Sequence, residues 1–317
     1  MSNLQPPFWT ACALLLLTQT AARAESSAEV VALVGKIEGT VHWKPASDKA
    51  AVQLDAKKDA MRPIHFGEWV KVSPGSGLHL MVAANGKPIV QAITTPANGT
   101  AEWRTFVHRP SADQLALMNV LKNNSGLGGR SRGNIQVYSP ADGSAIRLSH
   151  LHVLWTPSPT VHKLTITILD GRLRRKFWET AAVDGAAGRL DTAAAAEPLK
   201  GYRGALVLKV TPLASPAGSE PEQLKYVRFM LLDPVSESSL EKELAQWDRE
   251  IGLIRHLGKI FAFNRLKLYN EAADEYEAAL AETADSKPLL SAAIDAAARI
   301  GNTPLEVKLR GRFAFGG

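Results

Sequence analysis

The hydrophobic periodicity of this chain changes at Asp233-Pro234. Upstream of that dipeptide, short apolar runs alternate with polar residues between turn-forming residues, which is typical of antiparallel strands. Downstream, apolar residues recur every three or four positions, as in "LEKELAQWDREI", which indicates amphipathic helices. The chain has 317 residues, a length that suits two or three domains better than a single core. We therefore predict a multidomain β plus α protein with a small β-domain, a β-sandwich and C-terminal helical hairpins.

Residues 1–24 have the pattern of a secretory signal peptide. An apolar run extends from Phe8 to Leu17, and Ala22-Arg23-Ala24 supplies the small-residue cleavage site that follows such a run. The run is too short to span a bilayer, which needs about 20 apolar residues. We predict an exported mature chain that begins at Glu25 and resides in the periplasm or at the cell surface, without a transmembrane segment.

Composition narrows the range of functions. Cys12, the only cysteine, lies within the predicted signal peptide, so the mature chain is expected to have no disulfide, thiolate nucleophile or cysteine-ligated metal. The formal net charge of +6 permits contact with an anionic envelope polymer. Basic residues are spread along the chain without a run of interleaved aromatic residues, so no nucleic-acid partner is predicted.

Residues 25–95 are predicted to form the small β-domain. The segments "VVALVGKIEGTVHW" and "FGEWVKVSPGSGLHLMVAANGKPIVQA" alternate in hydrophobicity, and Asn85-Gly86 is a strong hairpin signal. Trp43 and Trp69 are the expected core aromatic residues. The order of "VGKIEGTV", "GEWVKV" and "GSGLHLMVAANGK" resembles a FecR-type periplasmic domain over residues 28–92. That resemblance implies an extracytoplasmic interaction domain without catalytic residues.

Residues 96–133 are predicted to be a linker that contains a short helix. The segment "SADQLALMNVLKNN" has helical spacing, and "SGLGGRSRG" is rich in glycine. These glycines could cradle a phosphate, but no strand leads into them and no helix opens from them. A flexible connection is the favoured interpretation.

Residues 134–235 are predicted to form the β-sandwich. Turn signals separate "IQVYSPADGSAIRL", "LHVLWTPSP", "KLTITILDGRLRRKFW" and "YRGALVLKVTP" at regular intervals. The order of these segments resembles bacterial fibronectin-III or immunoglobulin-like domains. Within "GRLRRKF", Arg172, Arg174, Arg175 and Lys176 are candidate residues for binding a polyanion. The alternative is a basic edge strand that limits aggregation.

Residues 236–303 are predicted to be helical. The stretch "LYNEAADEYEAAL" resembles the second helix of a tetratricopeptide repeat, but only one full repeat is visible. The helices therefore either present a binding surface or cap the sandwich. The candidate protein-binding residues are Phe261, Leu266, Tyr269 and Tyr276. The tail, residues 304–317, alternates in hydrophobicity and is expected to add as a strand or to remain disordered.

The sequence contains no recognisable catalytic constellation. His150 and His152 would share one face of a strand, but no third ligand lies nearby in the sequence, so no metal site is predicted. Neither the H-E-x-x-H nor the G-x-S-x-G pattern occurs. We predict a protein that is not an enzyme and that needs no cofactor.

The leading hypothesis is an adaptor or scaffold that binds another envelope protein, which requires a contiguous apolar patch on the helices. The alternative is an envelope glycan-binding protein that uses the β-domains and basic residues. It requires an exposed Trp or Tyr beside Arg or Asn in a groove on a β-domain. An undetected hydrolase, the third hypothesis, requires buried, mutually hydrogen-bonded polar side chains in a cleft.

Overall fold

The computed structural model describes residues 29–47, 50–84, 87–106, 135–157, 161–213, 225–283 and 286–315. These residues form several β-sheets and six α-helices, so the predicted multidomain β plus α fold is confirmed. The predicted signal peptide, the short linker helix and the glycine-rich segment lie outside the described residues.

The N-terminal β-domain consists of two four-stranded antiparallel sheets that share one core. The first sheet has the strand order β4-β1-β6-β7 and the second β3-β2-β5-β8. Buried aliphatic side chains from both sheets fill the core, among them Val34, Val70 and Leu80. The strands are β1 (Val30–Glu38), β2 (Val41–Lys44), β3 (Val52–Gln53), β4 (Pro63–His65), β5 (Trp69–Val72), β6 (Ser76–Ala84), β7 (Lys87–Thr95) and β8 (Trp103–Thr105).

Two expectations for this domain are wrong. Trp103–Thr105 lies in the predicted linker, yet it forms β8 and pairs with β5. Trp69 was expected in the core, yet its side chain is 38% exposed, because Val70 and Val72 take the buried positions of the same strand. Trp43 is half-buried against the core, and its Nε1–H donates to Glu68 Oε2 at 2.9 Å.

The second β-domain is a sandwich of two sheets. One sheet has the order β15-β11-β9, and the other has the order β10-β17-β16-β12-β13, with β14 also pairing with β12. β10 and β17 are parallel, whereas the other described pairs are antiparallel. Trp155 and Phe229 lie in the core between the sheets. The elements are β9 (Val137–Ser139), β10 (Ser144–Ile146), β11 (His152–Trp155), β12 (Lys163–Asp170), β13 (Lys176–Glu179), β14 (Val183–Asp184), β15 (Arg189–Asp191), α1 (Ala193–Leu199), β16 (Ala205–Leu213) and β17 (Lys225–Leu231).

Five consecutive helices follow, which we call the helical segment (residues 234–315). Asp233 caps the first of them, because its Oδ1 accepts hydrogen bonds from the backbone N–H groups of Val235 and Ser236 at 3.1 and 3.0 Å. Gly301 ends the fourth helix with φ = 75°, a conformation that favours glycine. The helices are α2 (Pro234–Trp247), α3 (Leu253–Arg265), α4 (Tyr269–Glu282), α5 (Lys287–Ile300) and α6 (Thr303–Phe315).

The predicted strand or disordered tail is instead helix α6. Leu305 and Leu309 are four residues apart, so they lie on one helical face, and both pack against the neighbouring core. Val307 is 64% exposed, as expected for the opposite face. The apolar residues at i, i+2 and i+4 alternate as in a strand, so the sequence suggested a strand or a disordered tail and not a helix.

The helical segment packs against both β-domains. One buried cluster joins Leu33 and Met81 of the N-terminal domain to Leu257 and Leu289 of helices α3 and α5. Close approach is possible because Gly35 lacks a side chain: a Cβ there would lie 2.7 Å from Ile254 Cγ1. The N-terminal domain is therefore fixed to the helices through a shared core.

The contact with the sandwich combines a small apolar cluster, in which Ala145 packs against helix residues such as Phe263, with several polar contacts. Asn270 donates from Nδ2 to the Tyr138 carbonyl at 2.7 Å and accepts from the Ala141 N–H at 3.2 Å. Arg147 and Glu271 face each other across this contact, with Nε and Oε1 3.5 Å apart and both side chains largely buried. The helices thus hold the two β-domains together, rather than only capping the sandwich.

Candidate functional site

The predicted protein-binding residues do not form an exposed patch. Phe261 and Tyr276 are each only 1% exposed and lie in the cluster shared with the N-terminal β-domain. Leu266 is half-buried, and Tyr269 lies beneath the Arg299 guanidinium, whose carbon is 4.7 Å from the ring centroid. The expected patch is therefore wrong: these apolar faces serve intramolecular packing, so the helical segment acts as a structural connection.

His150 and His152 do not share a strand. His150 ends a short 3-10 turn (Leu148–His150), where its Nδ1 lies 3.0 Å from Arg147 Nη2, and His152 begins β11. Desolvation lowers the pKa of both imidazoles below its ordinary value. Among the residues that the structure describes, no group of three or more His, Cys, Asp or Glu side chains is arranged to hold a metal ion.

His256 on α3 is a buried titratable group with two carboxylate partners, and its side chain is only 7% exposed. Its Nδ1 lies 2.6 Å from Glu275 Oε1, and its Nε2 lies 3.1 Å from Glu282 Oε1. The hydrogen bond to Glu275 is the main reason that the pKa of His256 is raised above 6.5. Arg255 also bonds Glu282, at 2.9 Å. This cluster links α3 to α4 within the helical segment and has a structural role.

This pairing predicts a pH dependence of stability. Because the folded-state pKa of His256 is raised, its contribution is fully present below the unfolded pKa, near 6.5, and is lost as pH rises through the folded pKa. We expect the free energy of unfolding of the wild type to fall over that interval relative to His256→Gln. Denaturant unfolding at several pH values measures this difference; parallel profiles for the two proteins would contradict it.

The exposed surface of the second N-terminal sheet carries two tryptophans. Trp69 on β5 and Trp103 on β8 are each 38% exposed. In the sheet register Trp69 lies opposite Thr105, and Trp103 lies opposite Lys71. Trp69 and Lys71 are two residues apart on one strand, so all four side chains share the outer face. The two tryptophans are diagonal neighbours, with a Cα separation of about 7–8 Å expected for such a pair.

Polar residues from the adjoining strand complete this surface. His42 on β2 lies opposite Lys71, and Lys44 lies opposite Trp69, so both extend the same face. Lys71 Nζ lies 6.0 Å from the centroid of the Trp103 ring. We define the tryptophan face as His42, Lys44, Trp69, Lys71, Trp103 and Thr105. A glycan-binding protein was expected to have a groove with Trp or Tyr beside Arg or Asn. The tryptophan face differs, because it is a sheet surface and carries lysine in place of arginine.

The predicted polyanion-binding residues are all exposed and lie together in the turn between β12 and β13 and at the start of β13. Asp170 orders this turn: its Oδ1 accepts from the backbone N–H groups of Arg174 and Arg175 at 2.6 and 3.1 Å. These hydrogen bonds lower the pKa of the Asp170 carboxyl, and the bond from the Arg175 N–H has the largest effect. Arg172 and Lys176 complete the cationic turn, although Lys176 also pairs with Glu179 at 3.3 Å.

Comparison with protein-family models and with curated proteins finds no match for this chain. None of the helices in the described ranges is long and apolar enough to cross a membrane. The exposed surfaces of the described residues are therefore the guide to function. Sequence reasoning missed Trp103, because three residues with one apolar member give too short a pattern to indicate a strand.

Proposed function

We propose that the protein is an exported, non-enzymatic protein of the bacterial envelope that binds a glycan through the tryptophan face. The observation that carries the proposal is the exposure of Trp69 and Trp103 side by side on one sheet surface, next to Lys71. Each tryptophan still exposes 38% of its surface, and two adjacent, partly exposed aromatic rings on one sheet surface favour a binding role.

The chemistry of the face suits a sugar chain. Aromatic rings offer flat apolar surfaces against which the C–H faces of sugar rings pack, while nearby donors and acceptors bind hydroxyl groups. Lys71 and Thr105 provide such groups directly beside the tryptophans. The basic turn at Arg172–Lys176 and the net charge of +6 favour a glycan that carries carboxylate or phosphate groups.

The adaptor hypothesis has less support, because Phe261 and Tyr276 are buried inside the protein. The FecR-like assignment of the N-terminal β-domain is compatible with the proposal, since that resemblance implies an extracytoplasmic interaction domain. In the sandwich, the consecutive strands β9 and β10 lie at the edges of opposite sheets. This arrangement supports the immunoglobulin-like assignment of the second β-domain.

The proposal predicts a large loss of glycan binding when the tryptophans are removed. Co-sedimentation of residues 25–317 with purified insoluble cell-wall polysaccharide measures the affinity. Each of Trp69→Ala and Trp103→Ala should weaken binding about 10-fold, as expected for a central aromatic contact. The matched control is Tyr226→Ala, which removes an aromatic ring that is 46% exposed on the sandwich.

Equal co-sedimentation of the double variant and the wild type would overturn the proposal. A capture experiment from envelope extract separates the alternative: a protein retained by the wild type and lost with Trp69→Ala/Trp103→Ala, without any polysaccharide binding, would establish an adaptor instead.

A further inference from the structure

A concave surface lies between the sandwich and the helical segment. It is a half-open cavity of about 490 Å³, within the range of small-molecule sites. Its walls come from the loop after α1, the end of β17, the start of α2 and the turn between α3 and α4. None of its lining residues belongs to the tryptophan face, so the inference below does not depend on the proposed glycan function.

The lining includes several apolar side chains. Leu199 is fully buried, Leu148 and Leu266 are half-buried, and Met230 is 45% exposed. The exposed parts of Leu148, Leu266 and Met230 would be covered by an apolar ligand, which stabilises the complex by about 25 cal/mol per Å² removed from water.

Cations line the cavity in excess over acids. Lys200, Arg203, Arg265 and Lys267 contribute four positive charges, and Asp233 and Glu237 contribute two negative ones. The Asp233 carboxylate is used as the cap of α2, and Arg265 is paired with Glu243.

Three of the cations, Lys200, Arg203 and Lys267, are exposed and form no salt bridge among the described residues. The charge of Arg203 does act on the Asp233 carboxyl, whose pKa is lowered first by hydrogen bonds with Ser236 and to a smaller extent by Arg203.

Lys267 occupies a backbone conformation that a lysine adopts at a cost. Its φ is 60°, in the left-handed region where glycine is the usual residue. The turn is fixed on both sides: the Lys267 N–H donates to the Asn264 carbonyl at 3.0 Å, and the Lys267 carbonyl accepts from the Ala145 N–H at 3.0 Å. The fold thus places a side-chain cation at the cavity in a turn that would form more easily with glycine.

We infer that this cavity binds a single-chain anionic amphiphile, such as a free fatty acid. The carboxylate would be bound by Lys200, Arg203 and Lys267, and the hydrocarbon chain would cover Leu148, Met230 and the other apolar lining residues. The cationic side chains favour an anionic headgroup, and the apolar lining favours a hydrocarbon chain. The limited volume of the cavity favours one chain over a bilayer surface.

The test is isothermal titration calorimetry of residues 25–317 with octanoate, decanoate and dodecanoate, each below its critical micelle concentration. Affinity should rise about fourfold for every added CH₂ group until the cavity is filled. The variant Lys200→Gln/Arg203→Gln/Lys267→Gln should bind decanoate at least about 10-fold more weakly. The control Arg172→Gln/Arg174→Gln/Arg175→Gln removes the same charge elsewhere on the sandwich and should bind as the wild type does.

Three results would overturn the inference. The first is the absence of measurable decanoate binding, and the second is equal binding of decanoate and neutral decanol with no effect of the triple variant. The third is flotation of the wild type with phosphatidylglycerol vesicles, but not with phosphatidylcholine vesicles, together with loss of flotation in the triple variant. That result would identify a membrane headgroup as the ligand. Loss of polysaccharide binding by Trp69→Ala/Trp103→Ala leaves all three measurements unaffected, so the two proposals fail separately.

Discussion

Phe261→Ala is expected to lower the free energy of unfolding by about 3–5 kcal/mol, the range for removing a fully buried Phe side chain. The phenyl ring is 1% exposed and belongs to the cluster that joins β1 and β6 to helices α3, α4 and α5. Its removal would leave a cavity where the helical segment meets the N-terminal β-domain. Equilibrium unfolding in urea, followed by circular dichroism, measures the change.

The same substitution at an exposed position is the control for this prediction. Phe313 on α6 is 41% exposed, so Phe313→Ala should change stability by about 0.5 kcal/mol or less, as surface substitutions usually do. If Phe261→Ala left stability unchanged but abolished capture of an envelope protein, the adaptor hypothesis would be correct, and Phe261 would be a binding residue as the sequence predicted.

Trp155→Ala is expected to have an effect of similar size in the other domain. Trp155 is 1% exposed in the sandwich core, and its Nε1–H donates to the Gly185 carbonyl at 2.8 Å. The substitution removes the ring and leaves that buried carbonyl without its donor, which together should cost about 3–5 kcal/mol. Thermal and denaturant unfolding of the variant measure the loss.

Trp103→Ala is the matched control for Trp155→Ala. Because Trp103 is 38% exposed, the variant should lose about 1 kcal/mol or less while losing most of the glycan affinity. If Trp103→Ala destabilised the protein as much as Trp155→Ala does, the tryptophan face would be part of a packed core and the proposed function would lose its basis.

Hydrophobic alternation predicted the strands well and the role of Trp69 badly. Asn85-Gly86 indicated a hairpin, and β6 and β7 do pair with Ala84 opposite Lys87. Alternation also places Trp69 on the face opposite to Val70 and Val72, so the exposed position of Trp69 was present in the sequence. The general preference of large aromatic residues for cores led to the wrong assignment.

Other features depend on contacts between distant residues. β8 exists because Trp103–Thr105 pairs with β5, more than 30 residues upstream. The helical periodicity identified which residues of α3 and α4 are apolar, but not that a β-domain would cover them. Amphipathicity reports that a face is buried without naming the surface that buries it, so Phe261 and Tyr276 suggested an interface between proteins when the interface is internal.

The most direct test of the account follows the indole N–H signals by two-dimensional NMR while a soluble fragment of the wall glycan is added. The described tryptophans are Trp43, Trp69, Trp103, Trp155, Trp178 and Trp247. Single Trp→Phe variants assign their signals. The account predicts progressive shifts for Trp69 and Trp103, with no change for Trp155 in the sandwich core or for Trp247 in the helical segment. Shifts confined to Trp247, or the absence of any shift at saturating glycan, would contradict it.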